Sequence, residues 1–330
     1  MVKSDPVKFA IVGRGLRRGR DMGVIDDGVD DHPAVGRDPM AVGPQLRMLL
    51  PTLTPAEWTV ADWFLRRENF TKSPTIGEVA TALGVSEPFL VKVARRLGYP
   101  GFKALRTALL AYHSIPQIEM HQDLSRDDSV SEIKRKIFQA TRQVLDEVQS
   151  ITPSEVIEEA AEAFYAGKQR DIYGVGGSAT VCHDASHKFL RIGIRSTVFS
   201  DTHMMMMSAS LLSKEDVVLA VSHSGQTMEL LGAIDLARTN GARIIALTNS
   251  FASDLAKASD FVLCAPAKDS PLIGQNATAR IAQLTLIDSF FMCLARKNYD
   301  LAEANLNKTM SSIHCFPWTG VRKGRAKPRN

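Results

Sequence analysis

Residues 218–230 read V-L-A-V-S-H-S-G-Q-T-M-E-L. An unbroken apolar run, Val217 to Val221, stops at a cluster of Ser222, Ser224, Gly225 and Thr227, and a helical pattern follows. A strand that is apolar at every position is covered on both faces, as strands are in a parallel sheet under helices. The hydroxyl cluster then lies in the loop that leaves the carboxyl end of a buried strand, which is where such sheets bind ligands.

The pattern repeats outward from this stretch. Further apolar strand candidates are Ile172–Val175, Thr197–Phe199, Ile244–Leu247 and Phe261–Ala265, with helical spacing between them and a long helix over roughly 277–297. This predicts a doubly wound, mostly parallel five-stranded α/β sheet. The first strand opens into a second loop, residues 172–179, I-Y-G-V-G-G-S-A. Its Gly174, Gly176 and Ala179 fit the G-x-G-x-x-A form of a dinucleotide site, with Asp201 spaced to meet a ribose, so a dehydrogenase is one reading. The other loop counts against it. A pyrophosphate needs one glycine turn, whereas here Ser222, Ser224 and Thr227 join Ser178 in a set of four hydroxyls. Hydroxyls beside free N–H groups at two helix N-termini suit a phosphate monoester. No P-loop lysine pattern accompanies them, which counts against a nucleoside triphosphate. Helix capping alone is the competing explanation, and for Thr227 taken singly it is as good.

Toward the N-terminus the texture is helical. Thr54-Pro-Ala-Glu57, Thr75-Ile-Gly-Glu78 and, further on, Thr152-Pro-Ser-Glu155 have the form of capping boxes. Ser86 reads as an N-cap without the box. Apolar residues follow at helical spacing: Val60, Phe64 and Leu65; Val79, Ala80 and Leu83; Leu90, Val93, Ala94 and Leu97, with Gly98 as the stop. The second and third of these helices are joined by Leu83-Gly84-Val85-Ser86, where Gly84 supplies the positive φ of a tight turn. That is helix-turn-helix spacing, although an ordinary three-helix bundle has the same spacing. The outward residues favour nucleic acid. Ser86, Glu87, Pro88, Val91 and Lys92 lie where a recognition helix faces the major groove, and Arg95 and Arg96 lie near its backbone. Glu87 can accept from cytosine N4 or simply suit the helix N-terminus. Residues 129–150 predict a connecting helix.

Composition agrees. The 330 residues are 45% hydrophobic and 23% charged, with a net charge of +4 placed unevenly. Residues 86–106 carry five bases and one acid, the last ten carry five bases and no acid, and 126–320 carry 19 bases and 22 acids. Local basic clusters point to a polyanion. Cys182, Cys264, Cys293 and Cys315 are too scattered for a zinc site or a disulfide frame, and the first three read as buried core thiols. No apolar run approaches the ~20 residues of a membrane span, and no signal-peptide pattern opens the chain. A soluble cytoplasmic protein with no membrane partner is expected. Residues 1–39 show no sustained periodicity and are expected to be disordered, with order beginning near residue 44; Met22 and Met40 stand as alternative starts.

Two stretches carry a resemblance. Residues 171–192 and 216–231 resemble the SIS, or sugar isomerase, phosphosugar-binding domain. Residues 53–106 resemble the N-terminal helix-turn-helix of the RpiR family of bacterial transcriptional regulators. In this order the two cover roughly residues 45–300. The resemblance implies an all-α helix-turn-helix domain followed by the α/β domain. It divides the chain into an extension at 1–43, the DNA-binding unit at 44–115, a linker with the connecting helix at 116–150, the SIS unit at 151–300 and a basic tail at 301–330. It implies double-stranded operator DNA as partner, a sugar phosphate as effector and a homodimer or homotetramer. It places phosphate contacts on Ser178, Ser222, Ser224 and Thr227. Gly176, Gly177, His223 and Gly225 complete the expected ligand loops, with Gly177 a small departure from the usual alanine.

SIS domains also serve isomerases, so an aldose–ketose isomerase is the alternative. That chemistry needs a base between adjacent carbons. Glu229, His223, His183 and His187 are the nearby candidates, and they form no convincing acid–base pair. His183 and His187 share a helix face but lack the glutamate of H-E-x-x-H. Arg280 can reach a ligand oxyanion or pair locally. His203 and the Met204–Met207 run read as a subunit contact or core. The expectation is a sensor, with no cofactor, no metal and no catalysis.

Overall fold

The computed structural model describes residues 38–66, 70, 73–115, 125–266 and 277–314. Its first part is helical. A short turn at Pro39–Ala41 leads into α1 (Val42–Leu49), and a second turn at Leu50–Thr52 leads into α2 (Pro55–Leu65), α3 (Ile76–Leu83), α4 (Glu87–Arg96) and α5 (Phe102–His113). Both expected capping boxes form here: Thr54 accepts from Glu57 N and Thr75 from Glu78 N, and each glutamate reaches back to the cap N–H. Gly84 closes α3 in the left-handed region at φ +64, its N–H bonded to the Ala80 and Thr81 carbonyls. The apolar stripes meet in one core around Val60, Phe64, Val79, Leu90, Val93, Leu105 and Leu109.

Order begins earlier than residue 44. Asp38 caps the first turn by accepting from Met40 N, and Ala41 and Val42 are buried. Residues 1–37, including Met22, lie outside the described residues.

The link is α6 (Val130–Ile151), opened by a capping box, Ser129 with Glu132, that the sequence reading missed. The box expected at Thr152–Glu155 does not form. The Thr152 hydroxyl instead donates to Cys264 O at 2.9 Å, and α7 (Ser154–Ala166) starts from Pro153 without a side-chain cap.

The sheet alternates with helices: β1 (Arg170–Tyr173), α8 (Gly177–Arg191), β2 (Thr197–Phe199), α9 (Thr202–Leu211), β3 (Val217–Val221), α10 (Met228–Thr239), β4 (Arg243–Thr248), α11 (Asp254–Lys257), β5 (Phe261–Cys264), α12 (Ala277–Arg296) and α13 (Tyr299–His314). All four strand pairings are parallel, in the order β2-β1-β3-β4-β5. Residues of β3 alternate between two cores. Val217, Leu219 and Val221 join Phe164, Phe189 and Phe290 on one face. Val218 and Ala220 join Met205, Leu230 and Ile234 on the other. Burying a side chain of this kind contributes about 1.5–3 kcal/mol, so β3 is fixed from both sides.

Helix α13 runs to His314, so the first half of the segment read as a tail is helical. The rest, with Cys315, lies outside the described residues. Cys182 and Cys264 are buried as expected, while Cys293 is only half-buried. Residues Thr278–Arg296 are long and apolar enough to cross a membrane by length and composition, yet Ala282, Ile287, Phe290 and Leu294 belong to the sheet's own core.

Candidate functional site

Strand order reverses direction of growth between β1 and β3, and that is the switch point at which doubly wound sheets open a crevice. Both hydroxyl loops leave this point. After β1 the chain passes Gly174, where a Cβ would stand 2.6 Å from Cys182 Sγ and 3.0 Å from Val221 O. Only a glycine lets the two loops start this close together. Gly176 and Gly177 are exposed, and Ser178 is half-buried in the first turn of α8.

The second loop is wired inward. Ser222 is buried at 4% exposure. Its Oγ accepts from Gly225 N at 3.1 Å and shares a proton with Thr227 Oγ1 at 3.1 Å. Ser224 is exposed, its Oγ accepting from Gln226 N at 3.2 Å. Thr227 precedes α10 but makes no side-chain cap bond, so capping does not explain its hydroxyl. Gly225 sits at φ +62, and a Cβ there would lie 2.4 Å from Ser253 Oγ and 2.7 Å from Thr248 Oγ1. His223 turns its carbonyl to Asn249 N at 3.0 Å and Thr248 Oγ1 at 3.3 Å, and its Nε2 lies 3.4 Å from Asn249 Nδ2. The loop is thus a ring of hydroxyls and N–H groups braced by the end of β4.

The bracing residues Thr248, Asn249 and Ser253 were not among the residues singled out in the sequence. A signal existed: β4 is an apolar run that ends in Thr248-Asn249-Ser250, as β3 ends in Ser222-His223-Ser224.

The alternatives fare as follows. Asp201 caps α9 by accepting from Met204 N at 3.0 Å, so the carboxylate expected at a ribose is already engaged. Glu229, His183 and His187 are exposed and Arg280 is half-buried. Of the methionine run, Met205 is in the core, while Met204, Met206 and Met207 are exposed. Among the described residues, no group of three His, Cys, Asp or Glu side chains is arranged to hold a metal. A buried carboxylate below the crevice went unnoticed in the sequence. Asp171 on β1 accepts from Ser208 Oγ and from Tyr173 OH. Burial raises its pKa above the ordinary value despite those bonds, and the Ser208 bond ties α9 to β1.

In the helical unit, α3, the Gly84 turn and α4 form the helix-turn-helix. Ser86, Glu87, Pro88, Lys92, Arg95 and Arg96 are exposed and Val91 is half-buried. The bases differ in their attachments. Arg96 donates to Thr52 O at 2.7 Å and stands 3.4 Å from the buried Glu57 carboxylate. Lys92 is 3.8 Å from Glu57 and 6.0 Å over the Phe89 ring. Arg95 Nε reaches Pro100 O at 3.3 Å. Burial works to raise the Glu57 pKa, but the Thr54 hydrogen bonds and the Arg96 and Lys92 charges outweigh it and hold the group below its ordinary 4.5. A buried acid thus stands behind the outward cations and fixes how α4 lies on α2.

Comparison with known proteins agrees with both halves. Residues 40–116 match the model of the helix-turn-helix domain of the rpiR family, and residues 163–293 match that of the SIS domain. The chain is 44% identical over 277 residues to the HTH-type transcriptional regulator RpiR of Escherichia coli K12, covering 84% of this chain and 94% of the relative. It is 32% identical over 244 residues to the regulator HexR of Pseudomonas aeruginosa, covering 74% and 85%. Among solved structures, the NanR protein of Vibrio vulnificus complexed with ManNAc-6P superimposes with a TM-score of 0.53 at 25% identity, over 83% of this chain and 98% of that one. The chain belongs to the RpiR family of helix-turn-helix transcriptional regulators that carry a SIS domain.

Proposed function

We propose that this regulator binds operator DNA through α4 and that a phosphorylated sugar, seated in the crevice between β1 and β3, sets its affinity for that DNA. The observation that carries the reading is the inward-wired hydroxyl loop of β3 beside the Ser178 loop of β1, at the switch point of the sheet. Ser178, Ser222, Ser224 and Thr227 would supply donors to the phosphate, with Gly176, Gly177, His223 and Gly225 shaping the loops. On the DNA, Ser86, Glu87, Pro88, Val91 and Lys92 would face bases, and Arg95 and Arg96 would face phosphates. The proposed units are 44–115 for DNA and 151–300 for the sugar phosphate. A cytoplasmic homodimer or homotetramer joined through the α/β units would present two such helices to two half-sites one helical turn apart.

The proposed role is that of a sensor without catalysis. The NanR structure with ManNAc-6P supports a phosphosugar as the ligand class, and the names of RpiR and HexR support regulation. A thermal-shift screen of pentose 5-phosphates and hexose 6-phosphates tests the site. At least one is expected to raise the melting temperature of the wild type and not of Ser222→Ala/Ser224→Ala. Conversion of that compound to an isomer by the pure protein would replace the sensor reading with an aldose–ketose isomerase.

A further inference from the structure

The hydroxyl loop of β3 does not stand alone. His223 O accepts from Asn249 N and Thr248 Oγ1, and Gly225 O accepts from Leu255 N at 3.0 Å. Ser253 packs so close to Gly225 that a Cβ cannot be added between them. A movement of residues 222–227 therefore carries residues 248–255 with it.

The far side of that same turn touches the helical unit. Met48 of α1 is 6% exposed and clusters with Ala41, Ile151 and Cys264, with Phe251 packed against them. Its Sδ is 3.3 Å from Cys264 Sγ, and its carbonyl accepts from Ser250 Oγ at 3.3 Å. Helix α1 is in turn built into the helical unit. Val42 and Leu46 lie in the core shared with α4 and α5. Arg47 bonds Tyr112 OH at 3.3 Å and pairs with Glu147 of α6 at 2.5 Å.

We propose that the turn Asn249–Ser253 is the element through which the helical unit reads the state of the hydroxyl loop, with Met48 as its contact. The inference rests on the phosphosugar reading of that loop and adds the route by which occupancy reaches the DNA-binding half. Here α1, the first helix of the helical unit, touches the α/β unit directly, one turn away from the candidate ligand residues. A ligand shifts the DNA-binding half only by contacting one arrangement of this junction better than another.

Hydrogen–deuterium exchange on the full chain, with inorganic phosphate as the probe, tests it. In the wild type, phosphate should slow exchange both in residues 222–227 and in α1. In Met48→Ala the protection of 222–227 should persist and that of α1 should disappear, while Met48→Leu, which keeps the packing, should restore it. Persistence of the α1 response in Met48→Ala overturns the route. Failure of phosphate to protect 222–227 in the wild type overturns the phosphosugar reading instead. The unliganded proteins then decide the route: amides of 249–255 should open about five- to tenfold more often in Met48→Ala, as expected for losing a contact of ordinary strength. Ser250→Ala, a milder change, should move the same amides in the same direction. Unchanged exchange there in both variants shows that the contact carries nothing.

Discussion

Helix α4 and the β3 loop both present polar groups for a partner, and they are assembled in opposite ways. On α4 the charged candidates are exposed on a regular helix, and two of them, Lys92 and Arg96, stand against one buried acid, Glu57. In the loop the candidate groups are neutral hydroxyls, one of them buried, each already bonded to an N–H or hydroxyl of its own turn. The cationic face suits a long polyanion met by diffusion, where each contact adds a similar, salt-dependent increment. The loop suits a small ligand whose position must be fixed by several directed bonds at once. Affinity on α4 should therefore be graded and additive, and in the loop it should be steep.

The largest effect expected lies between these two regions, where α1 of the helical unit pairs with the connecting helix α6. Arg47→Ala leaves Glu147, which is 2% exposed, buried without its partner. It should destabilise the native state by about 3–5 kcal/mol, read as a fall in denaturant midpoint. Next comes the loop. Each hydroxyl bond to a phosphate that is removed should cost about 1.5–3 kcal/mol, so calorimetry on Ser222→Ala should show a sugar-phosphate affinity roughly ten- to a hundredfold lower. Ser224, whose Oγ is bonded only to Gln226 N, sharpens the contrast: Ser224→Ala should lose ligand without loosening the loop.

Effects on α4 should be smaller and should depend on salt. Arg95→Ala should flatten the slope of log affinity against log salt by ~0.9, as for one lost phosphate contact, whereas Lys92→Ala should alter sequence preference, as for a lost base contact. Arg96→Ala should flatten the slope as Arg95→Ala does and also loosen the packing of α4 on α2, because Arg96 holds Thr52 O and Glu57. Equal thermal stability of the three variants would break the distinction drawn between them. The smallest effect concerns pH. The folded pKa of Glu57 lies below its ordinary 4.5, so its contribution is fully present above that value and is lost as pH falls through the lower folded value. Glu57→Gln should therefore show a shallower loss of helical-unit stability on acidification below that point, measured by denaturant unfolding at a series of pH values.

Much of this was legible in the residues, for physical reasons. Val217–Val221 came out with its observed limits because burial on both faces demands an unbroken apolar run, and the half-buried edge strand Thr197–Phe199 also came out with its observed limits. Gly84 was found because a tight turn between packed helices needs its φ. What escaped depends on contacts between distant residues. Thr152 looks like a cap until Cys264 O is beside it. Arg96 looks like a free cation until Thr52 and Glu57 are placed against it. Helix α1 begins before residue 44 because Ala41 and Met48 are buried against Ile151 and Cys264, which lie far along the chain. The hydroxyl loop stood out by its local pattern, whereas its bracing by Thr248, Asn249 and Ser253 needed the pairing of β3 with β4.

The central claim is that the two halves are coupled, and a paired titration tests it most directly. The sugar phosphate that stabilises the protein is titrated calorimetrically with and without the operator fragment, and the operator is titrated with and without the sugar phosphate. The account predicts that each changes the other's Kd by one and the same factor, equivalent to ~1–3 kcal/mol of coupling. Identical sugar-phosphate Kd values with and without operator would contradict it.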